Sequence, residues 1–149
     1  MNRPLTIPML LGLTLLIGWL APAHAQEVEA SDMVRGGMQV IQMVDQGKTG
    51  ELWDGATAAA KKQVARSEFM TQISKARGPL GAPLQRTWVA VNRQVVADNN
   101  ADVAGQYVSV EYETRFTNMA GKSNPTMREL VSFHLDRDKI WRFSGYLLR

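Results

Sequence analysis

At Gly78-Pro79-Leu80-Gly81-Ala82-Pro83 the apolar period of this chain changes from that of a helix to that of a strand, and two prolines with two glycines stop either element from running through. Upstream, Met33, Gly37, Val40, Ile41 and Val44 recur at helical spacing and predict a first helix, ended by Gly47 and Gly50. Trp53, Ala56, Ala60 and Val64 predict a second. Ser67 as cap, Glu68 in the first turn, and Phe69, Ile73, Ala76 and Leu80 behind them predict a third.

Downstream the period is two. Val89, Val91 and Val95 share one side of a strand over Thr87 to Val96, and Val108, Val110, Tyr112, Thr114 and Phe116 alternate with polar residues in the next. Met127, Val131, Phe133 and Leu135 mark a third strand, and Trp141, Phe143 and Leu147 a fourth. The connections are short, so the strands should form an antiparallel meander whose apolar face the helices cover. That makes a two-layer α+β domain of three N-terminal helices on a four-stranded sheet.

The start of the chain has the parts of a secretory leader. Arg3 supplies the positive end, Leu10 to Leu20 an apolar run too short for a stable span, and Ala23-His24-Ala25 a small-x-small cleavage site. Residues 1–25 are therefore expected to be removed, leaving 26–149 as a single periplasmic domain without a membrane span. The net charge of +3 is small and the basic residues are scattered, which argues against nucleic acid as a partner. With no cysteine, thiol nucleophiles, disulfides and thiolate metal sites are excluded.

Asp45-x-Gly47 with Leu52-Trp53, then Arg77-x-Pro79-Leu80-Gly81 with Arg86, then Trp141-Arg142-x-x-Gly145-Tyr146, together resemble the bacterial exported family known as domain of unknown function 4019. The resemblance implies a fold similar to the nuclear transport factor 2-like and cystatin-like group, a cone of helices packed into a curved antiparallel sheet. It implies no activity. Lys48-Thr49 departs from it, standing where an aromatic would be expected.

His134 is the natural acid/base candidate, but alternation places it with Arg128 and Ser132 on the solvated face, away from the helices. Tyr112 points inward, yet no acidic residue is expected to alternate inward beside it, so no catalytic residue is assigned. Asp98-x-Asn100-x-Asp102 opens like a calcium loop but lacks the later glycine and glutamate, and reads as a hairpin turn. No metal or cofactor is expected.

Two binding surfaces remain. Arg77 and Arg86, with Trp53 and Tyr112 near them, could form a rim for a small apolar or anionic ligand, although Arg77 is better read as paired with an internal carboxylate. Trp88, Tyr107, Arg128, His134, Arg142 and Tyr146 are expected on the outer sheet face, a mixture suited to a protein partner or a second copy of the chain. The expected function is thus a non-enzymatic binding or interaction protein, with a ligand carrier and, third, a small enzyme as alternatives.

Overall fold

The computed structural model describes residues 28–117 and 124–149, so the expected leader and the expected cleavage site after Ala25 lie outside the described residues. Helices come first and strands second: α1 (Ala30–Asp45), α2 (Thr49–Asp54), α3 (Ala58–Gln63) and α4 (Arg66–Arg77), then a 3-10 turn over Gly78–Leu80. β1 (Pro83–Val96), β2 (Gly105–Phe116), β3 (Thr126–Leu135) and β4 (Trp141–Leu148) follow, paired antiparallel in the order β1-β2-β3-β4. The expected α+β class and meander are both present.

Among the described residues the α-helices number four, because the expected second one is broken at Gly55-Ala56-Thr57. Gly55 caps the end of α2, and Thr57 begins α3: its hydroxyl accepts from the Ala60 amide, and its own N–H donates to the Phe143 carbonyl of β4. Ser67 lies inside α4, and Ala65 occupies the cap position instead. The C-terminus of α1 closes in a Schellman motif, with Gly47 at φ 73° and the Lys48 and Gly47 amides donating back to Met43 and Val44.

The core lies between one face of the sheet and the helices. Val40, Ile41, Val44, Phe69 and Ile73 meet Val108, Val110, Tyr112, Val131 and Phe133 there. Gly37 allows the closest approach, since a Cβ at that position would stand 2.6 Å from the Tyr112 hydroxyl. That hydroxyl donates to the Val34 carbonyl, tying α1 to the middle of β2.

Bulges decide which side chains face the core. In β4 the register moves so that Phe133 opposes Phe143 while Ser132 opposes Gly145, leaving Ser144 as the extra residue. Tyr146 consequently opposes Val131 on the core side, and Leu147 turns outward, half exposed. Simple alternation had assigned these two the other way round. β1 is irregular at Leu84 and again at Val89, which sets Trp88 opposite Tyr112 on the helix side of the sheet. Trp88 is nevertheless 52% exposed, because β1 is an edge.

Candidate functional site

On β3, Glu129 has the same parity as Val131 and Phe133, so the pleat aims it at the core, and it is fully buried. This contradicts the expectation that no acidic residue points inward. Each carboxylate oxygen takes two donors. Oε1 accepts from Arg86 Nε at 2.8 Å and from the Thr114 hydroxyl, and Oε2 from the Tyr146 hydroxyl at 2.6 Å and from Arg77 Nη1 at 3.2 Å. A carboxylate offers about four lone-pair sites, and here all are used.

The donors arrive from four elements for local reasons. Arg86 stands on β1 directly opposite Thr114 of β2. The β4 bulge brings Tyr146 inward. Arg77 is the last residue of α4, held where Gly78 and the 3-10 turn redirect the chain. Asp45, the last residue of α1, completes the group from the far side: Arg86 donates to it through Nη1 at 3.1 Å and Nη2 at 3.3 Å, and Arg77 through Nη2. Two guanidiniums thus face two carboxylates, and the fully buried Phe116 ring lies 4.8 Å from the Arg77 guanidinium carbon.

Burial alone would lower the pKa of Arg77, but its bonds to Asp45, Tyr146 and Glu129 outweigh that and raise it above the ordinary arginine value. Tyr146 is raised by burial first and then by Glu129, which takes its proton as a hydrogen bond. Burial raises Tyr112 to about 12. With every acceptor site of Glu129 filled, the arrangement is an internal clamp that joins α1 and α4 to β1, β2, β3 and β4.

Of the expected ligand rim, Arg77 and Arg86 do come together, and Arg77 has the internal carboxylate partner expected of it. Trp53 lies elsewhere, donating from Nε1 to the Val64 carbonyl at 3.0 Å under Lys61. Tyr112 is wholly enclosed by the core. The sequence reading missed Glu129, Thr114 and Asp45 as members of the cluster. The signal for Glu129 was available, because it alternates in step with Val131 and Phe133.

The expected outer-face group disperses. Trp88 sits on the β1 edge, Tyr146 belongs to the inner clamp, and Arg128 stays on the outer face, bridging Glu111 at 3.3 Å and Glu113 at 3.1 Å. Arg142 is held by Asp136 at 2.9 Å and Asp138 at 2.7 Å. His134 does lie on the face away from the helices, but it is 3% exposed rather than solvated. Tyr107 stacks on it at 4.4 Å, and its two ring nitrogens contact the Asp136 carboxylate at 2.9 Å and the Ala104 carbonyl at 3.1 Å. Asp98 and Asn100 spend their side-chain oxygens on the Asn100 and Asp102 amides, as hairpin residues do.

Beside the inner clamp, between α1, α4 and the 3-10 turn, lies a cleft of about 680 Å³ whose wall includes Asp45, Lys75 and Arg77. No helix among the described residues is long and apolar enough to cross a membrane. The model of a family described as a protein of unknown function, DUF4019, matches residues 36–146. None of the curated proteins compared with the chain matches it.

Proposed function

We propose, since the chain belongs to the DUF4019 family and that family's description names no activity, that its work is to bind protein chains through the open edge of its sheet. The proposal includes export and cleavage after Ala25, a periplasmic site of action and a cone of the nuclear transport factor 2-like kind. The order of helices before a four-stranded antiparallel meander agrees with that cone. Catalysis has no part in the reading. Glu129, the one fully buried carboxylate among the described residues, is saturated with donors, and Tyr112 is spent on the Val34 carbonyl.

The observation that carries the reading is where the exposed apolar side chains lie. Among the described residues six large hydrophobic side chains are exposed, and four of them, Leu84, Trp88, Val89 and Val95, are on β1. An edge strand leaves a row of backbone donors and acceptors unpaired, and natural edges are usually guarded by outward charges. The two charges of β1 are both turned away from that duty: Arg86 into the inner clamp, and Arg93 onto the Val28 carbonyl. The opposite edge differs, because β4 is shorter and already receives the Thr57 amide. An extended segment of another chain, or β1 of a second copy, would find pairing groups and apolar contacts together.

Hydrogen exchange tests this directly. As protein concentration rises, or on addition of periplasmic extract, amides of Ala90–Val96 should gain protection ahead of the rest of the sheet. Protection gained elsewhere, or nowhere, would contradict the reading.

A further inference from the structure

We propose that the cleft beside the inner clamp is a binding site for a small organic monoanion with a short apolar body. Its volume of about 680 Å³ falls within the usual range for small-molecule sites, roughly 300–1,000 Å³. Val44, Met70 and Ile73 give it an apolar wall.

Charge selects the sign of the ligand. Asp45 and Glu129 neutralise Arg77 and Arg86 between them, at contacts from 2.5 to 3.2 Å. Lys75, which also lines the cleft, forms no ion pair among the described residues. One positive charge is therefore left uncompensated at the cleft. Arg77 adds a second positive group at the same wall, with 11% of its side chain exposed. Asp45 is not available to repel the anion strongly, because three guanidinium nitrogens already occupy it. A carboxylate directed toward Lys75 and Arg77, with its chain along Met70 and Ile73, matches the charged and apolar parts of the wall.

The site is separate from the β1 edge, so the two proposals fail independently. Octanoate is the probe, with octylamine and octan-1-ol as charge controls, and the methyl resonances of Val44, Met70 and Ile73 are the readout. Octanoate should shift these methyls saturably, and octylamine and octanol should do so far more weakly. Lys75→Ala should weaken octanoate roughly fivefold, the fold-change of one partly exposed ion pair. Ser74→Trp, at an exposed position of the same wall, should abolish the shifts while leaving the fold intact, and Trp88→Glu should leave them unchanged. The proposal is overturned by an absence of saturable shifts, by equal binding of octylamine, or by a Lys75→Ala variant that binds as well as the native chain.

Discussion

Arg128 and Glu129 are neighbours in the sequence and opposites in the fold. Arg128 points out of the sheet to the carboxylates of Glu111, partly buried, and Glu113, exposed, while Glu129 points in to four donors with no exposure at all. The pairing chemistry is the same on both faces: arginine to carboxylate at about 3 Å. What differs is solvent. Around Arg128 water competes for the charges, and such pairs contribute little. On the inner face a missing partner cannot be replaced by water, so each member depends on all the others.

The sharpest way to break this contrast is Glu129→Ala. Removing it leaves two guanidiniums facing only Asp45, and breaking a buried pair in this way costs about 3–5 kcal/mol. Urea denaturation should read that loss, and a cost below 1 kcal/mol would mean that water reaches the cluster. Tyr146→Phe removes one donor to a buried carboxylate and should cost about 1.5–3 kcal/mol in the same experiment.

Alkaline pH probes the buried phenols of both faces without mutation. Tyr107, Tyr112 and Tyr146 all have folded values above the ordinary phenol value of about 10, each raised first by burial. The unfolded chain therefore gives up these protons first. The stability they lend is fully present below pH 10 and is lost as the pH rises through about 12, where Tyr112 titrates. Absorbance titration of the native chain should show phenolate forming late, with an ordinary midpoint restored in denaturant. At the small end, Arg128→Ala should change stability by no more than about 1 kcal/mol. A larger loss would make the outer ladder a structural element and erase the contrast between the faces.

Much of this was legible from residue types. The change of period at Pro79 and Pro83 foretold the order of helices and strands, and Arg77 was recognisable as the partner of an internal carboxylate. The rest depended on events that periodicity does not register. One extra residue at Ser144 moves Tyr146 from the outer face into the clamp, and another at Val89 puts Trp88 on the helix side. His134 was assigned to the correct face but not to its burial, because Tyr107 and the backbone at Ala104 reach it from distant parts of the chain. Glu129 was overlooked for a different reason: a charged residue in an inward register looks like an exception until its four donors are in place.

The central claim is that the inner clamp holds the fold while the open β1 edge does the work. Its most direct test is the double variant Trp88→Glu, Val89→Lys, compared with the native chain in melting temperature and in association, by sedimentation of the purified protein and by capture of chains from periplasmic extract. The account predicts a melting temperature within a few degrees of native, as for other exposed positions, together with loss of the association that the native chain shows. A variant that associates as the native chain does, or a native chain that associates with nothing, would contradict it.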